Sequence, residues 1–426
     1  MSTPVPRARP RRVPVLTVLP ADPERMEIGG IASFVRGFVK FSPDDFELSF
    51  LGISAEREPW AWHRVPFEGR EVAFLPVMRV PSLRRSAVPL ALRFAAALLA
   101  RRDARRVLRP EEFVLGFHRP ASDLGLGPRS GPRWRVVHLS VADLATPGSE
   151  SRWRRGSRLL DAFEHRSFRG MDRIWVVNRN VAGRYREQFP DVADRIAFIS
   201  NWVDHTIFRQ LDDPDRGGLR AELRRSTALP GDARIVLFAG RLEGQKDPML
   251  LARAFGRLRE AVPGARLVVA GEGALASSMR EELGRLGAAD AARFVGVVPR
   301  ERLAQLMNAS DLLAITSAFE TGPTVGLEAL ACGLPVVTTP VGEVAALVAR
   351  SGAGVTTGAR SVDAVADAMA AVLGRHEDHA RAAAKAAQPF HADRVLRELY
   401  GENRRLAARL ADAAPTSPSG DGTASG

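Results

Sequence analysis

Cysteine is nearly absent from this 426-residue chain, whose single thiol belongs to Cys332. One cysteine excludes an internal disulfide, and such scarcity is usual in a reducing compartment. No apolar stretch of signal-peptide length follows the basic, proline-rich segment 1–12, which argues against secretion. We therefore expect a cytoplasmic protein.

Long apolar runs are also missing. The best membrane candidate, residues 87–102, has about fourteen apolar residues and is interrupted by Pro89 and Arg93, whereas a spanning helix needs about 20. The sequence therefore predicts no transmembrane helix. The stretch 92–109, rich in leucine, alanine and arginine, could instead lie on an anionic membrane surface, at the periphery of the cytoplasmic membrane.

Acidic residues are in deficit in one half only. Residues 1–210 hold 35 Lys and Arg against 23 Asp and Glu, whereas residues 211–426 hold 26 of each, so the net charge of +12 lies entirely in the first half. A basic half favours an anionic partner, such as nucleic acid, a membrane or a charged acceptor; a solvated basic surface is the alternative. Basic patches interleaved with aromatic residues are lacking, so we expect no nucleic acid to be bound.

Lysine is almost wholly replaced by arginine. Only Lys40, Lys246 and Lys385 occur, against 58 arginines. A lysine kept in such a composition suggests a site that needs a compact point charge rather than a planar guanidinium. Lys246 is the candidate, because it lies in a loop with other signals, whereas Lys385 lies in an alanine-rich stretch.

The length favours two domains, because one hydrophobic core rarely exceeds about 250–300 residues. Alternating strand and helix patterns predict an α/β fold of two Rossmann-like parallel-sheet domains. Strands are predicted at 13–20, 46–53, 71–78, 113–118, 133–140, 173–178, 195–201, 234–240, 265–273, 292–298, 311–317, 334–340 and 353–357. The predicted divisions are a flexible segment 1–12, domains 13–205 and 206–390, a helix 391–412 packing back on the first domain, and a disordered tail 413–426.

The stretch "FAGRLEGQKDP" (238–248) places two cations between a strand and a helix. Arg241 and Lys246 follow the predicted strand, and Asp247 and Pro248 are a typical N-cap and first residue of a helix. Cations beside a strand end and a helix start suit a diphosphate, although two solvated loop charges would give the same pattern.

The stretch "FETGPTVGLE" (319–328) holds two glutamates around a helix start. Gly322 and Pro323 are expected to begin the helix, which leaves the N–H groups of Thr324 and Val325 free for an anion at the positive end of the helix dipole. Glu320 lies just before this start and Glu328 lies inside the helix. We expect both to contact a polar ligand.

Three further places follow predicted strands. Gly271 and Gly273 form a Gly-x-Gly without the third glycine of a dinucleotide fingerprint, so a tight turn is the simpler interpretation, with a backbone-lined nucleotide pocket as the other. Gly29 and Gly30 precede an amphipathic helix in the first half. His118 with Arg119, and His138, follow two other strands, where a structural histidine is the alternative to a functional one.

Together these residues resemble retaining glycosyltransferases of family 4, which have the GT-B fold of two Rossmann-like domains facing across a cleft. The likeness covers about residues 13–412. It rests on the E-x7-E spacing of Glu320 and Glu328 with "EALACGLPVV" behind it, and on "GRLEGQKDP", "GGIASFV" and the interdomain segment "SNWVDHTIF". In that segment Trp202 stands where the family usually has glycine.

The resemblance implies roles for the candidate residues. The catalytic set would be Arg241, Lys246, Glu320 and His138; the donor-binding set Gly29, Gly30, Gly271, Gly273, Gly322, Thr324, Val325 and Glu328; and the acceptor side His118 and Arg119. The two cations would neutralise the leaving diphosphate. Glu320 and His138 would contact the donor sugar, and Glu328 the ribose.

The implied reaction is retaining transfer from a UDP- or GDP-sugar to a saccharide or lipid-linked acceptor in cell-surface or exopolysaccharide synthesis. The resemblance implies no cofactor and no catalytic metal, with the nucleotide-sugar as co-substrate. Another enzyme on the same fold, such as a sugar-nucleotide epimerase, and a basic nucleic-acid-binding protein remain as alternatives.

Overall fold

The structure is a computed structural model that describes residues 12–26, 29–80, 88, 90–100, 104–119, 122–123, 125–126, 131–138, 157–226, 230–320 and 324–412. Residues 1–11 of the expected N-terminal segment and the expected tail 413–426 lie outside this part of the chain. The described residues form two α/β domains, as the sequence predicts.

The first domain is built on an eight-stranded sheet. Its strands are β1 (Val13–Val18), β2 (Phe46–Ser54), β3 (His63–Phe67), β4 (Arg70–Arg79), β5 (Val114–Phe117), β6 (Arg133–Val137), β7 (Arg173–Val176) and β8 (Ile196–Phe198). They lie in the order β3-β4-β2-β1-β5-β6-β7-β8, parallel except for the antiparallel pair β3–β4. Its helices are α1 (Gly30–Lys40), α2 (Leu90–Ala100), α3 (Ala104–Leu108), α4 (Ser157–Arg169) and α5 (Arg179–Gln188).

Strand β3 was not predicted from the sequence. Pro66 lies inside it, and proline lacks the N–H that a central strand would need. The strand is tolerated because it lies at the edge of the sheet and pairs with β4 through a tight hairpin. Glu68 and Gly69 form that turn with φ of 51° and 74°, the left-handed conformation that two-residue hairpins use.

The second domain has the strand order of a Rossmann fold. Its strands are β9 (Arg234–Ala239), β10 (Ala265–Ala270), β11 (Ala292–Gly296), β12 (Leu312–Ile315), β13 (Val336–Thr338) and β14 (Gly354–Thr356). They form one parallel sheet in the order β11-β10-β9-β12-β13-β14. The order reverses between β9 and β12, and in such sheets ligands bind outside the carboxyl ends of the strands at that reversal.

Eight helices of the described chain cover this sheet: α6 (Asp213–Ser226), α7 (Pro248–Ala261), α8 (Ala276–Arg285), α9 (Arg300–Ala309), α10 (Thr324–Ala331), α11 (Gly342–Ser351), α12 (Val362–Gly374) and α13 (His376–Ala387). The central strands β9, β10, β12 and β13 are buried at most positions, whereas the edge strands β11 and β14 are mostly half-buried. Burial on both faces explains why the central strands appear in the sequence as continuous apolar runs.

Two crossing segments join the domains and are hydrogen-bonded to each other. The amide of Val203, on the outgoing segment, donates to the carbonyl of Phe390 (2.8 Å), and the amide of Ala392 donates back to Val203 (3.1 Å). The last helix, α14 (Ala392–Asp412), returns to the first domain. There the Trp134 indole donates to Asn403 (2.9 Å), so the end of the chain belongs to the first core.

Trp202 has a specific packing partner in the first domain. Its side chain is only 5% exposed and packs against α1 at Gly37. A Cβ atom at position 37 would lie 1.7 Å from the Trp202 ring, so this glycine makes room for the indole. The departure of Trp202 from the family pattern therefore attaches the crossing segment to α1.

Candidate active site

The strand reversal of the second sheet brings two loops together. The loop after β9 and the loop after β12 are bonded by the amide of Ala318, which donates to the carbonyl of Gln245 (2.8 Å). The Thr316 hydroxyl donates to the carbonyls of Lys246 (3.0 Å) and Asp247 (3.1 Å). These hydrogen bonds join residues more than 60 positions apart in sequence and hold the two loops together at the carboxyl ends of the strands.

Lys246 and Glu320 form an ion pair across these loops. The Lys246 ammonium contacts Glu320 Oε1, to which the Ser317 hydroxyl also donates (2.8 Å). The Glu320 side chain is 7% exposed and that of Lys246 is 21% exposed. Two sequence-predicted site residues therefore meet, and each satisfies the charge of the other.

Asp247 fixes the backbone beside Lys246. Its φ of 44° is left-handed, a conformation that aspartate tolerates better than most residues. Its carboxylate accepts from the amide of Leu250 (3.0 Å) as the N-cap of α7 and also pairs with Arg360. The predicted capping geometry thus holds the lysine at the loop end.

Arg241 is less constrained. Its side chain is 68% exposed and its guanidinium lies 2.9 Å from the carboxylate of Glu243. Because this ion pair is exposed, it is weak and salt-sensitive, so a stronger anion can take the arginine away from Glu243. Both predicted cations of the loop are therefore matched by a carboxylate.

Gly271 and Gly273 have a structural reason to be glycine. Both have left-handed φ, 147° and 159°. A Cβ atom would lie 1.9 Å from the carbonyl oxygen of Gly240 at the first position, and 2.4 Å from that of Leu242 at the second. These glycines let the loop after β10 pack directly on the loop that holds Arg241. The two glycines therefore determine the shape of this loop, as expected for a tight turn.

Helix α10 begins at Thr324, beside this loop pair. Gly322 lies outside the described residues, whereas Thr324 and Val325 form the first turn and are partly exposed. The amides in the first turn of a helix have no partner within that helix. Gly326 packs closely on α11, because a Cβ atom there would lie 2.7 Å from Val344 Cγ1.

Glu328 lies one turn further along α10, in surroundings unlike those of Glu320. Burial raises the pKa of Glu328 to about 7, the Arg300 charge opposes this, and the Asp204 charge adds to it. Glu320 is bonded to Lys246 and Ser317. The two glutamates are therefore not a paired acid and base at one point.

The first-domain candidates gather where the order of the first sheet reverses, between β1 and β5. Gly29 is the N-cap of α1 and Gly30 its first residue; both are exposed, with open space where a Cβ atom would stand. One turn later, the Phe34 ring lies 5.7 Å from that of His118 and 5.3 Å from that of His138.

His118 and His138 are in contact with each other. His118 Nδ1 lies 3.3 Å from His138 Nε2, although the histidines follow different strands. Burial lowers the pKa of His118 to about 3. Burial, with the charges of His118, Arg119 and Arg135, also holds the pKa of His138 well below its usual value. Both rings are therefore neutral near pH 7.

Sequence reasoning missed a charge cluster at the domain junction. Asp204 is 1% exposed in its side chain and accepts from the ammonium of Lys40 (2.8 Å). The Arg300 guanidinium of the second domain lies 3.5 Å from the same carboxylate. The scarcity of lysine was a usable signal, because Lys40 is one of only three in the chain.

One group in the described part of the chain has the composition of a metal site. Ligand atoms of His205, His391 and Asp393 lie within 4.8 Å of one another on the crossing segments. The two imidazoles are stacked at 4.7 Å and only 8° from parallel. In-plane lone pairs of parallel rings cannot meet at one ion, so this arrangement is a stacked pair rather than a metal centre.

Comparison with known proteins finds similarity in part of the sequence and in the fold. Residues 220–388 match the family described as Glycosyl transferases group 1. The chain is 37% identical to the D-inositol 3-phosphate glycosyltransferase of Kribbella flavida over 208 residues, which are 46% of this chain and 47% of that protein. It thus spans about half the length of the curated relatives that it matches.

Solved structures show the fold. The sucrose-phosphate synthase of Thermosynechococcus elongatus superposes with a TM-score of 0.73 at 17% identity, over 93% of this chain and all of that one. The HepE protein of Anabaena, solved with UDP and glucose, gives 0.64 at 17% identity, over 94% of this chain and 100% of that one. The GT-B arrangement predicted from the sequence is confirmed.

We expect Glu328→Gln to stabilise the protein more at pH 8 than at pH 5. The fold raises the pKa of Glu328 from 4.5 to about 7. The stability that the protonated carboxyl contributes is therefore lost as the pH rises from 4.5 through about 7. Glutamine has no such proton to lose. The difference in unfolding free energy between variant and wild type should grow by about 2–3 kcal/mol from pH 5 to pH 8.

Urea denaturation at both pH values measures this difference. Glu301→Gln, at an exposed position of α9, is the control and should show no such growth. An equal difference for Glu328→Gln at the two pH values would contradict the raised pKa of Glu328.

Proposed function

We propose that this chain is a retaining glycosyltransferase that moves a sugar from a UDP- or GDP-sugar to an acceptor. The observation that carries the proposal is the Lys246–Glu320 pair beside the start of α10, at the strand reversal of a Glycosyl transferases group 1 domain. A cation, a carboxylate and free helix amides are the groups needed to bind phosphate and sugar side by side.

The donor would lie across the second domain. Its diphosphate would take Lys246 and Arg241 as counter-charges and the amides of Thr324 and Val325 as hydrogen-bond donors. Lys246 and Arg241 are paired with Glu320 and Glu243. Phosphate oxygens would replace these carboxylates as the partners of the two cations, which would leave Glu320 free to accept from sugar hydroxyls. Glu328 would accept from the ribose.

The transfer needs no group beyond donor, acceptor and protein. The bond between the anomeric carbon and the β-phosphate oxygen breaks, and the acceptor oxygen bonds to that carbon on the same face. The acceptor proton passes to the departing phosphate. Lys246 and Arg241 would stabilise the charge on the leaving group, so we propose that no metal or cofactor takes part.

The acceptor would meet the first domain, with the exposed Arg119, Gly29 and Gly30 on its side of the cleft. His118, predicted to lie there, is only 2% exposed and would act through its contact with His138. Curated relatives are named as inositol-phosphate glycosyltransferases, and all the net positive charge lies in residues 1–210. We therefore favour a hydroxyl acceptor that carries phosphate, either a saccharide phosphate or a lipid-linked saccharide of cell-surface glycan synthesis.

An exposed apolar surface on the first domain favours a membrane-bound acceptor. Leu92 and Leu99 are 42% and 61% exposed and lie seven residues apart on one side of α2, whose Phe94 is fully buried. Trp62, Val88 and Val107 are also exposed in this part of the domain. With Arg106 nearby and exposed, the surface suits an anionic bilayer. We propose a cytoplasmic protein bound peripherally to the membrane.

Among the described residues no helix is both long and apolar enough to cross a membrane.

Nucleotide binding tests the donor site. A thermal-shift panel of UDP, GDP and ADP should show stabilisation by one of them, and Lys246→Ala should weaken its calorimetric affinity about ten- to a hundredfold because a charged phosphate contact is lost. Lys385→Ala, an exposed lysine on α13, is the matched control. Unchanged affinity in Lys246→Ala would refute the assignment.

Glu320→Gln should separate binding from transfer. Glutamine still accepts from the Ser317 hydroxyl but lacks the charge, so the nucleotide should bind within about threefold of wild type. Transfer from the matching sugar donor should fall by about a hundredfold or more, since the lost contact is to the sugar. Steady-state product formation measures this, and normal turnover would remove Glu320 from the site.

Membrane binding tests the apolar surface. Flotation with anionic liposomes should be lost in Leu92→Glu with Leu99→Glu, and should weaken at high salt or when Arg101, Arg102, Arg105 and Arg106 are neutralised. The side chains of Arg101, Arg102 and Arg105 lie outside the described residues. Leu286→Glu with Val297→Glu, at exposed apolar positions of the second domain, is the control. Equal flotation of both double variants would contradict this surface.

A further inference from the structure

One ring nitrogen of the histidine pair in the first domain has no hydrogen-bond partner among the described residues. His118 is 2% exposed, and its Nδ1 lies 3.3 Å from His138 Nε2. Its other nitrogen, Nε2, is buried and has no hydrogen-bond partner among the described residues. Such an orphaned nitrogen restricts where the protons of the pair can lie.

Each neutral imidazole carries one N–H and one bare nitrogen. The contact between the rings needs a donor on one side and an acceptor on the other. If His118 donates through Nδ1, its orphaned Nε2 is a bare acceptor, and His138 carries its proton on Nδ1. If His138 donates through Nε2, His118 must carry its proton on the buried, unpartnered Nε2.

The first arrangement is favoured, because orphaned buried N–H groups are rarer than under-satisfied acceptors. The rings beside His118 are Phe34 at 5.7 Å and Trp134 at 5.5 Å, the latter edge-to-face. The Trp134 indole N–H already donates to Asn403, and an N–H above a ring face is a weak bond that does not replace a regular one.

We propose that His118 is a positioning residue, which holds His138 as the tautomer protonated on Nδ1. His138 then offers an N–H to an oxygen of the donor and is a hydrogen-bond donor, not a base. This consequence rests on the proposed function, in which the departing phosphate takes the acceptor proton, so that the first domain needs no base. The tautomer itself does not depend on that function.

Imidazole nitrogen NMR tests the proposal directly. Protein labelled with ¹⁵N in histidine, observed by two-bond ¹H–¹⁵N correlation at pH 7.5, should show His138 protonated on Nδ1, with the signal assigned by its loss in His138→Asn. Two other histidines are internal references for the Nδ1-protonated tautomer. Nδ1 of His376 and of His379 faces a carbonyl oxygen at 2.9 and 2.8 Å, so it must carry the proton. His63, whose Nε2 faces a carbonyl at 3.1 Å, reports the opposite one.

Two variants separate positioning from packing. His118→Phe keeps an aromatic ring but no donor, so the proton of His138 should move to Nε2, with kcat lowered about tenfold or more and nucleotide affinity unchanged. His118→Asn keeps an amide donor and should retain the Nδ1 proton and more of the activity.

A wild-type His138 protonated on Nε2, or a tautomer unchanged in His118→Phe, would overturn the proposal. Should His118→Phe not fold, the wild-type spectrum decides alone. Failure to transfer sugar would count against the proposed function, whereas the spectrum is read without substrate.

Discussion

The arrangement of the two domains depends on one buried carboxylate, Asp204. Burial opposes its charge, but hydrogen bonds from Lys40 and Thr206, with the charges of Lys40 and Arg300, outweigh burial and lower its pKa. An ion this deep is tolerated only with such partners. Because Lys40 ends α1 of the first domain and Arg300 begins α9 of the second, the same carboxylate holds both domains at the crossing segment. The strand-end edges of the two sheets are positioned by this contact and by the Val203 backbone bonds next to it.

The same cluster links the junction to the candidate donor site. Arg300 is shared, since its charge acts on both Asp204 and Glu328. A charge gained on Glu328 would compete with Asp204 for the Arg300 guanidinium. Helix α1 makes a second link, because Lys40 ends it, Gly29 and Gly30 begin it, and Phe34 contacts the histidine pair in between. Packed elements therefore connect the charged cluster at the domain junction with candidate residues of both domains.

The sequence predicted features that follow from local pattern. Strand positions and the N-cap at Asp247 are such features, because apolar runs and capping residues act within a few positions. The strand β3 was missed because its proline violates the pattern and only its edge position permits it. The contact between His118 and His138, and the cluster around Asp204, join residues far apart in sequence. Pairing of β5 with β6 brings the histidines together, whereas packing of the crossing segment against α1 and α9 forms the Asp204 cluster. Composition offered at most the rarity of lysine as a hint.

The excess positive charge of the chain does not lie where the donor phosphates would bind. In the second domain Lys246 is matched by Glu320 and Arg241 by Glu243, so neither of these cations has an uncompensated charge. A paired cation would bind a diphosphate by releasing its carboxylate rather than by attraction from a distance, which favours a ligand whose own sugar can occupy the released carboxylate. The first half holds the +12 excess and five of the seven large apolar side chains exposed in the described chain. Long-range attraction and apolar contact therefore coincide on the first domain, which the proposed function assigns to the acceptor.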